Sequence, residues 1–138
     1  DINELTVLDA YAGSGALAIE AVSRGAKHVT AIDVDVEAVK AMSRAVKDFG
    51  LEEDMQVLRK NISGWSRNNQ HRKYDIVLAD PPYDDIRPDV IERLGVHVAS
   101  GGVLVLSWPG SEPVRELVGL EIASQKSYGD IQLVFYQN

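Results

Sequence analysis

The stretch LTVLDAYAGSGALA, residues 5–18, decides the fold of this 138-residue chain. Its apolar first half predicts a buried strand, its two glycines predict a tight turn, and its small second half predicts a helix. Gly13 and Gly15 can adopt backbone angles that other residues avoid, and they lack the Cβ atom that would keep a ligand away from the main chain. We therefore expect a nucleotide-type ligand at the start of this helix, although the turn alone does not name the ligand.

Two adenosine cofactors fit this turn. Gly13, Gly15 and Ala18 satisfy a G-x-G-x-x-A fingerprint, and Asp33 lies close to the acidic position expected about 20 residues further on, which favours NAD. Asp9, four positions before the first glycine, favours S-adenosylmethionine instead. A carboxylate there would repel a pyrophosphate, but it would attract an ammonium group and tolerate a sulfonium centre.

Further apolar runs along the chain predict seven strands, at residues 5–11, 28–33, 55–60, 74–79, 101–107, 119–127 and 131–137. The segments between them predict helices, most clearly at residues 16–23, 37–49 and 87–98. The turn at residues 128–130 is too short for a parallel crossover, so the last two strands should pair antiparallel. The expected fold is α/β, a mostly parallel seven-stranded sheet with one reversed strand at its edge.

The spacing of apolar residues along the predicted helices also predicts which residues lie in the core. Within the second helix one stripe is expected to face the core, formed by Ala38, Met42, Ala45, Val46 and Phe49. Trp65 and Trp108 are expected to pack against the core rather than to stack on a ligand.

Polar residues follow the second and third apolar runs. Asp33 could accept hydrogen bonds from both hydroxyls of a ribose, and Asp35 fits the role of helix N-cap better, which would leave Asp33 free for a ligand. Asn61 and Ile62 follow the third run, where an amide and an aliphatic face could read and sandwich adenine.

The fourth apolar run ends in Asp80, Pro81, Pro82 and Tyr83. Each proline fixes its own φ and restricts the residue before it, so the segment predicts a rigid ledge. The Asp80 carboxylate and the Pro81 carbonyl could accept hydrogen bonds from an exocyclic amine while the Tyr83 ring stacks on a planar base. This pattern is typical of methyltransferases that act on amino groups, and an ordinary proline turn is the alternative.

Taken in order, residues 8–17, 80–83 and 126–136 resemble those of class I S-adenosylmethionine-dependent methyltransferases, and within them the RsmD-type small-subunit rRNA guanine-N2 methyltransferases. The resemblance covers nearly the whole chain. It implies a Rossmann-like three-layer sandwich and methyl transfer to the exocyclic N2 amine of a guanine in 16S rRNA. The implied partner is therefore rRNA or the small ribosomal subunit.

Two groups of site residues are implied by the resemblance. The cofactor-binding group is Asp9, Ala10, Tyr11, Gly13, Gly15, Asp33, Val34, Asn61 and Ile62. Within that group, Asp9 and the glycines would hold the methionine part, Asp33 the ribose, and Asn61 with Ile62 the adenine. The catalytic group is Asp80, Pro81, Pro82 and Tyr83, which would hold the acceptor base. The family usually has Asp at position 61 and often Glu at position 33, and both residues found here keep an acceptor oxygen.

The net charge of the chain bears on whether it can bind RNA by itself. With 14 Lys and Arg against 21 Asp and Glu, the net charge of −7 has the wrong sign for a protein that holds phosphates by itself. Such proteins usually begin with a basic hairpin and helix, whereas this chain begins almost at its first strand, so a truncated chain is expected. A local basic cluster could also face the substrate, although a solvated surface is the simpler interpretation. That cluster is Arg59, Lys60, Arg67, Arg72 and Lys73.

Composition narrows the remaining classes. The length and the 45% hydrophobic content predict one domain spanning residues 1–138, which we expect to be monomeric. The chain has no cysteine, which excludes disulfides and thiolate chemistry and fits a reducing cytoplasm. No apolar run has membrane-spanning length. His28, His71 and His97 lack helical metal-ligand spacing, so no metal is expected.

Other acceptors and one other reaction class stay open from the sequence. Related ledges serve DNA adenine and protein amides, so the sequence leaves these acceptors open beside guanine. A dinucleotide-dependent oxidoreductase, or a cofactor-binding module without activity, would make Asp9 and the ledge incidental.

Overall fold

Seven strands form one sheet in the computed structural model of the chain, which describes residues 1–138. The strands are β1 Thr6–Asp9, β2 His28–Asp33, β3 Met55–Arg59, β4 Tyr74–Ala79, β5 Val98–Pro109, β6 Glu121–Tyr128 and β7 Ile131–Gln137. The helices are α1 Ala16–Ser23, α2 Val36–Asp48, α3 Ile62–Asn68 and α4 Pro88–Leu94, with a 3-10 turn at Gly95–His97. No helix is long and apolar enough to cross a membrane.

The strand order is β3-β2-β1-β4-β5-β7-β6. Strands β1 to β5 run parallel, and β7 runs antiparallel to both of its neighbours. The prediction of a seven-stranded, mostly parallel sheet with one reversed strand is confirmed. From β1 the chain adds β2 and then β3 on one side, and it then returns to add β4 and β5 on the other side of β1. The strand order therefore reverses between β1 and β4, which lie side by side.

The predicted place of the reversed strand was wrong. Strand β7 lies inside the sheet, between β5 and β6, and β6 forms the edge. The difference in apolar content between β6 and β7 explains this order. Alternate residues of β7, including Val134 and Tyr136, are buried, whereas every residue of β6 is exposed. The more apolar member of the hairpin takes the interior position.

Helices cover both faces of the sheet and divide the core in two. On one face Trp65 of α3 and Leu94 of α4 pack with Leu104 and Leu106 of β5. On the other face α1 and α2 pack against β1, β2 and β3, with Met42 fully buried. This is the expected three-layer arrangement, and Trp65 and Trp108 both lie in the core, as predicted.

Local expectations for α2 are mostly confirmed. The Asp35 side chain accepts a hydrogen bond from the Glu37 N–H at 3.1 Å and caps the helix. Met42 and Val46 are buried, but Phe49 is 68% exposed, so its predicted core position was wrong. Phe49 is the C-cap, beyond the last turn of the helix that packs on the sheet.

Strand β5 also begins earlier than predicted. The expected helix over residues 87–98 ends at Leu94 and gives way to the 3-10 turn, and β5 starts at Val98. Tertiary contacts of His97 override helix propensity here. Its Nδ1 lies 2.7 Å from the carbonyl oxygen of Arg72, and its Nε2 lies 2.8 Å from the Ser66 hydroxyl.

His97 is therefore a neutral, buried side chain. A carbonyl only accepts hydrogen bonds, so Nδ1 carries the hydrogen and Nε2 accepts from Ser66. The Trp65 ring lies against the imidazole, with 5.0 Å between ring centroids. Burial lowers the pKa of His97 below its ordinary value, and the charges of Lys73 and Arg72 act in the same direction.

We expect acid to destabilise the protein through His97. Because its pKa is lower in the folded state, the unfolded chain binds more protons below about pH 6.5, so the free energy of unfolding falls as the pH decreases through that region. A His97→Gln variant should lose about 1–3 kcal/mol near neutral pH and show a smaller further loss at about pH 5 than the unmodified chain. Urea unfolding measures both. His28 at the start of β2, changed to Gln, is the control, and an unchanged pH dependence in His97→Gln would contradict this account.

Candidate active site

Four predicted site residues lie along the edge of the sheet that is formed by the carboxyl ends of its parallel strands. Asp9 ends β1, Asp33 ends β2, Asn61 follows β3 and Asp80 follows β4. Because these strands are parallel neighbours, their carboxyl ends meet at the same edge. Burial raises the pKa of the Asp9 carboxyl group, and the nearby charges of Asp80 and Asp33 add to the increase. The edge therefore concentrates negative charge at the reversal between β1 and β4.

A cavity of about 410 Å³ opens at this edge. Of the thirteen predicted site residues, eight line it: Ala10, Tyr11, Asp33, Val34, Asn61, Ile62, Asp80 and Pro82. Five others line it that were not predicted as site residues: Lys60, Ser63, Asp85, Arg87 and Val90. The remaining predicted residues, Asp9, Gly13, Gly15, Pro81 and Tyr83, do not line it.

As predicted, Asp35 rather than Asp33 caps α2, but the Asp33 carboxylate does have hydrogen-bond partners within the protein. Its Oδ2 accepts a hydrogen bond from the Gly13 N–H at 2.8 Å, and its Oδ1 accepts one from the Asp35 N–H at 2.9 Å. Each carboxylate oxygen has a second lone pair, so the side chain can still accept two hydrogen bonds. The two backbone contacts hold the carboxylate at the cavity wall, and they connect the glycine turn after β1 to the end of β2.

The two glycines of the turn have different roles. Gly13 has φ +58°, and no atom lies within 4 Å of where a Cβ would be. Gly15 has φ +84°, but a Cβ there would lie 2.5 Å from Cγ of Met42. The predicted role of Gly15 in letting a ligand approach was therefore wrong, because its missing Cβ makes room for α2. Only Gly13 faces open space.

Asp9 is buried behind the cavity wall rather than exposed on it. Its side chain is 3% exposed. It pairs with Ala31 and Leu78, which pack on the face covered by α1 and α2, so strand alternation points it away from the α3 and α4 side. Burial raises the pKa of Asp9 to about 6, with repulsion from Asp80 and Asp33 in the same direction, although the Tyr11 backbone N–H lowers it.

Asn61 begins α3 as its N-cap. Its Oδ1 accepts a hydrogen bond from the Gly64 N–H at 3.2 Å. That contact leaves the Nδ2 group, which only donates, and one oxygen lone pair for the cavity. Ile62 follows as the first residue of the helix and is buried at 8% exposure. The capping role of Asn61 was readable from the sequence, because Asn is a preferred N-cap residue.

The ledge after β4 separates into two parts. Asp80 and Pro82 line the cavity, whereas Pro81 is buried beneath them. Tyr83 is 40% exposed and turns toward the end of β5. Its hydroxyl lies 2.8 Å from the Ser107 hydroxyl. The ring therefore stands beside the cavity rather than in its wall.

The segment between the ledge and α4 supplies two of the five lining residues that the sequence analysis missed, Asp85 and Arg87. Arg87 precedes Pro88 at the start of α4, and its Nε lies 3.3 Å from Oδ1 of Asp85. Tyr11 stands across from this pair. Burial raises the pKa of Tyr11 to about 12, and Asp85 adds to the increase while Arg87 opposes it. The sequence did contain a signal for this wall. Arg87 and Pro88 precede an apolar stretch, and Pro is common at the first position of a helix, so the pair indicates where α4 begins.

The predicted basic cluster does not form one surface around the cavity. Arg59 and Lys60 lie at the carboxyl end of β3, beside the cavity, and Arg59 Nε donates to the Val34 carbonyl. Arg72 and Lys73 immediately precede β4, so they lie at the opposite edge of the sheet. In a parallel sheet these two edges are separated by the full length of the strands. No group of three or more His, Cys, Asp or Glu side chains is arranged to hold a metal ion.

The fold is the Rossmann-like one of class I methyltransferases. The chain belongs to the family described as Conserved hypothetical protein 95, whose model matches residues 1–137, and it is of the RsmD type.

Similar proteins agree with this assignment. YlbH of Bacillus subtilis strain 168, whose name provisionally assigns it to the rRNA methyltransferases, is 34% identical over 136 residues, which cover 94% of this chain and 74% of YlbH. Ribosomal RNA small subunit methyltransferase D of Buchnera aphidicola is 33% identical over 76 residues, which cover 55% of this chain and 39% of that protein. A solved structure of a conserved hypothetical protein from Streptococcus pyogenes superposes with a TM-score of 0.85 at 27% identity, covering 99% of this chain and 87% of that one.

The chain spans well under half of several relatives. It covers 32–39% of two small-subunit rRNA methyltransferases and of one ribosomal protein L11 methyltransferase.

We expect Gly15→Ala to destabilise the protein more than Gly13→Ala. Both variants carry the cost of a left-handed residue, about 1–2 kcal/mol, but only Gly15→Ala also places a Cβ against the buried Met42. Urea unfolding of the two variants measures the difference in the free energy of unfolding, and Gly13→Ala is the matched control. Equal losses would contradict the packing role of Gly15.

Proposed function

We propose that this chain transfers a methyl group from S-adenosylmethionine to the exocyclic N2 amine of a guanine in small-subunit rRNA. One observation carries the proposal. Asp33 and Asn61 stand on one side of the reversal between β1 and β4, and the Asp80 ledge stands on the other, beside the same cavity. In open α/β sheets, ligands bind outside the carboxyl ends of the strands at such a reversal. A cofactor and an amine acceptor can therefore meet in one crevice.

The residues at this edge fit the proposed cofactor. Gly13 leaves open space beside the main chain, and Asp33 keeps lone pairs for ribose hydroxyls. Asn61 and Ile62 border the same cavity and can contact the adenine. Asp9, Asp33 and Asp80 together favour a ligand with positive charge. S-adenosylmethionine carries an ammonium group and supplies a methyl group on a sulfonium sulfur.

These same acids disfavour the NAD alternative. A pyrophosphate at the glycine turn would lie close to Asp9 and Asp33, and like charges repel more strongly where water is excluded. Asp33 also already accepts the Gly13 N–H that a phosphate would need. The relative YlbH, whose name assigns it to the rRNA methyltransferases, agrees with the choice of S-adenosylmethionine.

The ledge residues would act by alignment. The Asp80 carboxylate, which lines the cavity, would accept a hydrogen bond from the acceptor amine and direct its lone pair toward the methyl carbon. Methyl transfer would form one carbon–nitrogen bond as the carbon–sulfur bond breaks, and the amine would then lose a proton to water. Asp80 need not remove that proton first, because the alkylated amine is acidic enough to lose it. Positioning of the reacting atoms supplies most of the rate.

The nature of the acceptor rests on the ledge and on the relatives. The Tyr83 ring is 40% exposed and can receive a flat base, which a base displaced from folded RNA would provide. YlbH, which this chain matches over most of its length, is named for rRNA. DNA adenine and a protein amide remain the alternative acceptors, and methylation of either in place of rRNA would contradict the proposal.

Two classes of variant should separate cofactor binding from transfer. We expect Asp80→Asn and Tyr83→Ala to reduce transfer at least about a hundredfold. Tyr83→Ala should leave the affinity for S-adenosylhomocysteine nearly unchanged, and Asp80→Asn, which removes one of the three acids near the cofactor, should weaken it less than Asp33→Asn does. Asp33→Asn should weaken that affinity about tenfold or more, since it replaces a charged acceptor. Calorimetric titration measures the affinity, and radiolabel transfer to undermethylated small ribosomal subunits measures activity. Equal loss of cofactor affinity in all three variants would contradict these roles.

Asp9 predicts how cofactor affinity depends on pH. A cation binds best when Asp9 is ionised, and its pKa is raised to about 6, so the affinity for S-adenosylmethionine should fall about tenfold between roughly pH 7 and pH 5. An Asp9→Asn variant should bind more weakly near neutral pH and should lose most of this dependence. Asp35→Asn, an exposed N-cap on the neighbouring helix, is the control. Identical pH profiles for Asp9→Asn and the unmodified chain would refute the electrostatic role.

A further inference from the structure

Tyr83 has a single polar anchor. Its hydroxyl lies 2.8 Å from Oγ of Ser107, a normal length for a hydrogen bond between hydroxyl groups. The rest of the ring lies on a segment without helix or strand, between β4 and α4, and has no aromatic neighbour. The contact to Ser107 is therefore what restricts the direction of an exposed ring.

Ser107 is fixed by its place in strand β5. In the β4–β5 ladder Ala79 pairs with Leu106, so Ser107 lies beside Asp80, the first residue of the ledge. In the β5–β7 ladder Ser107 pairs with Leu133. Pairing with β7, directly after the last residue pair between β4 and β5, gives the hydroxyl a defined position, in contrast to the loop that carries Tyr83.

The Ser107 side chain is not needed for the core. Its neighbours Leu106 and Trp108 are buried in the core on one face of the sheet, so strand alternation directs Ser107 to the other face, where it is only half-buried. Its only side-chain hydrogen bond is the one to Tyr83. Removal of the hydroxyl should therefore affect Tyr83 far more than folding.

We propose that Ser107 is a positioning residue for the acceptor base, and that it acts by holding the Tyr83 ring in the direction in which a base stacks on it. The inference rests on the proposed function and extends it to the end of β5. The ring and the carboxylate of Asp80 are then set by two adjacent strands. A flat acceptor base would then form hydrogen bonds with Asp80 along its edge and stack on Tyr83 with its face, and the angle between these two contacts would be fixed.

Double-variant kinetics test the proposal. Ser107→Ala and Tyr83→Phe each remove one partner of the same hydrogen bond, and each should lower kcat/KM for undermethylated small ribosomal subunits by roughly five- to tenfold. The double variant should fall no further than either single variant, because the shared contact is already lost. The affinity for S-adenosylhomocysteine should be unchanged in all three. Ser107→Thr, which keeps the hydroxyl, should restore activity to within about twofold.

A spectroscopic arm tests the contact without any substrate. The chain has five tyrosines, so ring-labelled tyrosine gives few signals, and Tyr83→Phe identifies the one from residue 83. Ser107→Ala should shift that signal and leave the other four in place. Ser100→Ala, an exposed serine at the other end of the same strand, is the matched control and should change neither the spectrum nor the activity.

The two arms separate the possible failures. If single losses multiply in the double variant, or if Ser107→Ala leaves both the spectrum and kcat/KM unchanged, the positioning role is overturned. If the unmodified chain binds S-adenosylhomocysteine but methylates no ribosomal RNA, the proposed acceptor fails and the role at that acceptor fails with it. The tyrosine spectrum would still decide whether Ser107 holds the ring.

Discussion

The parallel pairing of β1 with β2 on one side and β4 on the other is the constraint on which the site depends. It brings Asp9, Asp33 and Asp80 to one edge although they are far apart in sequence. The reversal of strand order between β1 and β4 leaves room for a ligand there, because the connections on its two sides lead away from each other. The glycine turn is bound into the same arrangement, since the Asp33 carboxylate accepts the Gly13 N–H across the pair. The strand pairing that defines the fold therefore also positions the residues of the candidate site.

Charge at this edge explains the choice of ligand. A buried carboxyl group at Asp9, with its pKa raised to about 6, and two further acids nearby make the unliganded edge electrostatically unfavourable. A ligand that carries positive charge relieves this repulsion, whereas a pyrophosphate increases it. The opposite wall, with Arg87 beside Asp85, is nearly balanced in charge, which suits a neutral base. We infer that cofactor and acceptor are distinguished first by electrostatics and then by the rigid shape of the proline ledge.

Much of this arrangement was predictable from the sequence because strand ends are marked locally. Apolar runs followed by Asp33, Asn61 and Asp80 placed the site, and the greater apolar content of β7 could also have placed it inside the sheet. The errors have long-range causes. The face of β1 on which Asp9 lies depends on its register with β2 and β4, and the role of Gly15 depends on Met42, which belongs to another helix. The contact between Tyr83 and Ser107 joins residues 24 positions apart and leaves no local pattern.

The most direct measurement of the central claim is the chemical identity of the methylated product. Undermethylated small ribosomal subunits would be incubated with this chain and isotopically labelled S-adenosylmethionine, and the rRNA and protein fractions would be digested and analysed by mass spectrometry. The account predicts label in N2-methylguanosine from the rRNA, with none when Asp80 is changed to Asn. Label in methyladenosine or in a ribosomal protein, with the guanines unmodified, would contradict it.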